Sequence, residues 1–113
     1  MLDKKLQFKE GQTVCIVGNA PELSLESAKA DAIAADALLI FAANETELRI
    51  NLTMLQEAAR VGKLVWLAYP KAGKMGTDIN RDSIRAIANE NGLDPVRQIA
   101  IDEIWSALRL KAL

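Results

Sequence analysis

Leu64 to Tyr69, LVWLAY, is an uninterrupted run of apolar and aromatic residues. A strand with one wet face alternates, so a run without alternation belongs to a strand covered on both faces, as in a parallel sheet with flanking layers. Two further runs repeat the pattern, Thr13 to Gly18 (TVCIVG) and Ala37 to Ala43 (ALLIFAA). Three such strands, separated by stretches long enough to cross over, confine the chain to the α/β class.

The intervening segments carry helix signals. Asn19 stands before Pro21 and three residues ahead of Glu22, the register of a capping box, and the alanine-rich Leu23 to Asp36 is expected to be helical in part. Asn44 with Glu47 opens a long helix that ends at Gly62; Leu48, Leu52, Leu55 and Ala59 line one side, and Ile50, Met54, Ala58 and Val61 form a second apolar stripe for deep packing or an interface. Asn80 caps a third helix with Ile84, Ile87 and Ala88 inward, closed by Asn91 and Gly92. Val96 to Ile101, the turn at Asp102 and Glu103, and Ile104 to Leu110 read as a hairpin. The opening Met1 to Gln12 is expected to be a short docking segment. The expected whole is a single domain, residues 1–113: a three-layer Rossmann-like open sheet of about five strands, mostly parallel with a C-terminal antiparallel hairpin. Thr13 to Gly18 then forms an apolar sheet edge, which Met1 to Lys9 or another subunit must cover.

Composition excludes several functions. Fourteen basic and fifteen acidic residues are mixed along the chain for a net charge of −1, so no basic footprint for nucleic acid or anionic lipid exists. The longest apolar run falls far short of the ~20 residues of a membrane span, and the opening lacks a signal peptide's apolar core. The single Cys15 reads as a core thiol in a reducing compartment. With no histidine, the usual zinc, haem and Ser/His or Cys/His arrangements are closed. These readings give a cytoplasmic chain with no metal and no cofactor, and no catalytic residue stands out.

The order strand, long helix, Gly62-Lys63-Leu64-Val65-Trp66, helix, closing hairpin resembles the second half of a class I methyltransferase core over Ala37 to Leu110. That family grips its cofactor with a glycine-rich turn after the first strand and an acid ending the second. Here Gly18 stands alone in GNAPEL, and the crossover from Asn19 to Asp36 is too short for the missing strands. Across nearly the whole chain, V-G-N-A-P-E, Leu39-Ile40-Phe41, Trp66-x-Ala68-Tyr69-Pro70-Lys71, Thr77-Asp78-x-Asn80-Arg81-Asp82 and Asp102-x-x-Trp105-Ser106-Ala107-Leu108-Arg109 resemble a family of short bacterial proteins known only as a domain of unknown function. That likeness implies the fold and no activity; the Ser24 to Asp36 segment is shorter here than in that family.

Beyond Pro70 come Lys71, Gly73, Lys74, Gly76, Asp78 and Arg81, too charged for burial and placed where open α/β sheets bind ligands, outside the carboxyl ends of strands. If the hairpin lies beside Leu64 to Tyr69, then Asn19, Tyr69, Lys71, Lys74, Asp78, Arg81, Asp102 and Trp105 gather at one edge as a candidate ligand site. The first reading is a non-enzymatic module that associates with itself or a protein partner. The alternative is a binder, or enzyme, for a small anionic ligand held by Lys71, Lys74 and Arg81, with Asp78 and Asp102 orienting it. A degenerate methyltransferase-like domain is the third.

Overall fold

A computed structural model describes residues 2–113; Met1, the start of the expected docking segment, lies outside them. The elements run α1 (Leu2–Lys5), β1 (Thr13–Val17), β2 (Ala28–Lys29), β3 (Ala37–Phe41), α2 (Glu45–Ile50), α3 (Leu52–Arg60), β4 (Leu64–Pro70), α4 (Arg81–Glu90), β5 (Leu93–Ala100) and β6 (Trp105–Ala112). They build one mixed sheet in the order β2-β1-β3-β4-β6-β5. β2, β1, β3 and β4 pair in parallel, and β6 pairs antiparallel with β4 and β5. The sheet has six strands, where about five were expected.

The three apolar runs are β1, β3 and β4. Every residue of β3, and all of β4 after Leu64, is buried. Alternation assigns their side chains to two cores: Leu38, Ile40, Val65, Leu67 and Tyr69 pack under α2, α3 and α4, while Leu39, Phe41, Trp66 and Ala68 form the opposite face. That second face has no helical layer among the described residues beyond the single turn of α1. Leu6 and Phe8 cover it, flanked by Leu2, Leu23 and Leu25, and the Trp66 indole donates to the Leu6 carbonyl at 2.9 Å.

Residues 23–36, expected to be partly helical, contain no helix. From Pro21 to Ser27 the chain is extended, with Pro21, Leu23, Leu25 and Ser27 half-buried and Glu22, Ser24 and Glu26 exposed. This period of two places Leu23 and Leu25 on the second core, a gain that alanine's modest helix preference does not match. Asp3 fixes the segment by accepting from the Glu26 and Ser27 backbone N–H groups and the Ser27 hydroxyl. The outcome is β2, which pairs with β1, so β1 is not the sheet edge. The N-terminal segment accordingly packs on a face of the sheet instead of along an edge.

The long helix after Asn44 is two helices that meet at Asn51, whose side chain donates to the Glu47 carbonyl at 2.8 Å. Asn44 and Asn80 both cap as expected, each accepting from the N–H three residues on. In α4 Ser83 completes a reciprocal box with the Asn80 N–H.

Candidate functional site

The carboxyl ends of β4 and β5, the start of β6 and the N-terminus of α4 enclose an open cleft of about 680 Å³ lined in part by Tyr69, Lys71, Asn80, Arg81, Gln98 and Ser106. Pairing makes it. Tyr69 lies opposite Ser106, and Ser106 opposite Ala100, so successive strands bring these positions side by side on the face under α4. The Lys71 N–H donates to the Ile104 carbonyl at 2.7 Å and locks the exit of β4 to the hairpin.

A polar chain runs across the cleft. Arg81 Nη1 donates to Gln98 Oε1 at 3.2 Å, and Gln98 Nε2 donates to the Tyr69 hydroxyl at 3.2 Å. Burial pushes the Tyr69 phenol up from its ordinary value, against the opposing pull of the Arg81 charge and the Ser106 hydroxyl. Tyr69 therefore stays protonated near neutrality and keeps an O–H to donate. Two cations, Lys71 and Arg81, outnumber the single carboxylate, Asp82, on the walls. The first turn of α4 adds its positive dipole end on the same side. Such a set can receive an anion by charge and by hydrogen bonds together.

Of the residues expected at this edge, Tyr69, Lys71 and Arg81 meet in the cleft. The others do not. Trp105 pairs with Pro70, one step from Tyr69 and Ser106, and alternation turns its ring to the opposite face, where it meets Phe41 edge-on at 5.0 Å between centroids. Asp102 folds back on its own turn, accepting from the Ile104 and Trp105 N–H groups at 2.8 and 2.7 Å, and does not line the cleft. Asp78 accepts from the Glu45 N–H at 2.8 Å, a cap for α2 reached from another loop. Lys74 is exposed in the turn between Lys71 and Thr77, outside the cleft.

Asn19 is exposed beyond β1 and caps no helix. Gly18 beside it adopts φ +94°, and a Cβ there would stand 2.3 Å from the Phe41 carbonyl oxygen. The glycine serves the close approach of β1 to β3.

Ser106, expected near Tyr69 and Lys71 with the hairpin beside β4, stands there, and Gln98 is the cleft residue that the sequence reading passes over. Ser106 had a signal, as the polar residue opposite Tyr69 once the hairpin is placed beside β4. Gln98 had only its place in the alternation of β5. Elsewhere, burial and the nearby Asp31 carboxylate push the Cys15 thiol up, partly countered by Lys63, which lowers its thiolate fraction at neutral pH. Among the described residues no group of three or more acidic, cysteine or histidine side chains could hold a metal ion, and no helix is long and apolar enough to cross a membrane. In comparisons with known proteins, no family model matches this chain and no curated protein does.

Proposed function

We propose that this chain works by binding, and that the cleft at the carboxyl end of β4 receives a small anionic ligand. The observation that carries the reading is the chain Arg81–Gln98–Tyr69, which holds a guanidinium and a protonated phenol over one opening beside Lys71. A carboxylate or phosphate is the matching chemistry, with Arg81 as a fork donor, Lys71 as a mobile charge and the Tyr69 hydroxyl as a neutral donor. Lys74, Asp78 and Asp102 leave this proposal, since their contacts lie elsewhere.

The finer classification is part of the same reading. Parallel β1, β3 and β4 followed by an antiparallel hairpin support a trimmed Rossmann-like sheet of the methyltransferase kind, and they suit the short bacterial family that the sequence resembles. Adenosylmethionine is not the proposed ligand, because Gly18 is engaged against Phe41.

Thermal unfolding against inorganic phosphate, nucleotides, sugar phosphates and carboxylates tests the reading. A ligand at ~100 times its Kd adds about 2.7 kcal/mol to stability, of order 10 °C in Tm for a domain of this size. Arg81→Ala, at an exposed position, should fold within about 0.5 kcal/mol of wild type and Lys71→Ala, at a half-buried one, within about 1 kcal/mol, and both should lose most of the shift. A shift of equal size in all three proteins, or none with any anion, would refute it.

A further inference from the structure

The other end of the sheet presents a second surface. The connection from β1 to β2 contains no helix among the described residues, and on the α3 side Cys15 and Val17 are only partly buried. Beside them Ile33, Leu38, Met54, Ala58 and Val61 border a groove of about 350 Å³, with Glu57, Arg60 and Lys63 on its rim. Ile33 is 92 % exposed and Val61 65 %, large values for branched apolar side chains lying together.

This exposure is built into the fold. Lys63 directs its ammonium into the carbonyls of Ala32 and Ile33, at 2.8 Å each, and Asp31 Oδ1 accepts from the Ile33 and Ala34 N–H groups. The turn that raises Ile33 is thus pinned from below and from within. It stands as a fixed knob next to a hole floored by Leu38 and Ala58.

We infer that this face pairs with the same face of a second copy of the chain about a twofold axis passing near Glu57 and Ala58. Two features of this surface select a second copy over an unrelated partner. Knob and hole lie side by side on one surface, which is the condition for an isologous contact in which each protomer's Ile33 enters the partner's groove. The outer side of α3 and its end also carry half-buried Met54 and exposed Glu57, Arg60 and Val61, an apolar residue at either end with opposite charges between them. Antiparallel apposition of two α3 helices sets Met54 against the partner's Val61 and brings Glu57 within reach of the partner's Arg60. Both charges are free for this, because the one ion pair among the described residues joins Arg49 and Glu45. Ala58 at the centre lets the helices approach closely.

Sedimentation velocity over a dilution series tests the inference, on wild type and on Ile33→Asp, Val61→Glu, Glu57→Arg, Arg60→Glu and the double charge reversal. Wild type should dimerise. Ile33→Asp and Val61→Glu should each weaken the dimer roughly tenfold or more in Kd. Each single charge reversal should weaken it less, and the double reversal should restore it. Circular dichroism of the Ile33→Asp monomer should match wild type, since that side chain touches solvent. A wild type that stays monomeric at every concentration, or a dimer indifferent to Ile33→Asp and Val61→Glu, overturns the inference. This surface and the cleft are separate, so either proposal can fail without the other.

Discussion

The two connections that leave the carboxyl ends of β1 and β4 begin alike, with a glycine-bearing loop and an asparagine followed three residues later by Glu or Ser. One becomes extended chain, the other a helix. From Asn80 onward the apolar residues Ile84, Ile87 and Ala88 recur at helical spacing and are buried against the sheet. From Asn19 onward the half-buried positions Pro21, Leu23 and Leu25 recur at a spacing of two, and the two leucines pack on the opposite face. A cap signal sets where a helix can start, and the period of the apolar residues sets whether one forms.

The glycines offer the sharpest way to break this contrast. Gly18→Ala places a Cβ against the Phe41 backbone and forces a non-glycine residue to φ +94°. Strain and overlap together should cost about 4 kcal/mol, lowering Tm by more than about 10 °C. Gly73, in the loop after β4, has φ +79° but nothing within 4 Å of its Cβ position. Gly73→Ala should cost only the backbone term, about 1–2 kcal/mol. Equal losses in chemical denaturation would mean that the approach of β1 to β3 has slack, and that Gly18 is free to serve a ligand after all.

A smaller loss is expected at the two coverings of the sheet. Leu6→Ala empties a fully buried site under the N-terminal segment, and Leu55→Ala does the same under α3. Each should cost about 3 kcal/mol. The Leu6 value is the informative one. A loss under about 0.5 kcal/mol would show that irregular chain covers the second face without joining the cooperative core.

The unalternating runs in β3 and β4, the caps at Asn44 and Asn80 and the closing hairpin were legible because each is a local pattern with one physical cause. The alternation in Pro21 to Ser27 was equally present in the sequence, but the alanines that follow it spoke for helix more loudly. What no local pattern carries is direction. Tyr69 at the end of β4 and Trp105 at the start of β6 stand at the same edge of the sheet, and only the register of β4 against β6 sends one to the cleft and the other to the opposite core. The same holds for Asp78 and Asp102, whose charges suggested a ligand and whose backbone acceptances were visible only in three dimensions.

The three edge asparagines sharpen the comparison at the next level down. Asn44→Ala and Asn80→Ala each remove a cap that accepts a backbone N–H at 2.9 Å, a loss of about 1 kcal/mol apiece in urea unfolding. Asn19→Ala, with no helix to cap, should stay within about 0.5 kcal/mol. A loss at Asn19 as large as at Asn80 would show that it holds the Gly18 turn in a way its exposed position does not suggest.

The smallest effect is a pH dependence in the extended connection. Burial by itself would raise the Asp3 carboxyl. Hydrogen bonds from the Ser27 hydroxyl and from the Glu26 and Ser27 backbone N–H groups outweigh that and hold it below its ordinary value. A carboxyl whose folded pKa lies below its unfolded value of ~3.9 stabilises the fold above that pH and ceases to as pH falls through the folded pKa. Acidification should therefore loosen the anchorage of residues 26 and 27 beside β2, while the Asn80–Ser83 box that opens α4, which contains no titrating group, keeps its place. Asp3→Asn removes the titration, so its stability deficit against wild type should shrink as pH drops from ~5 to ~2. Hydrogen exchange at the Glu26 and Ser27 amides reads the same event locally, and protection unchanged across that range would mean that pairing of Ala28 and Lys29 with β1, and not Asp3, sets the extended path.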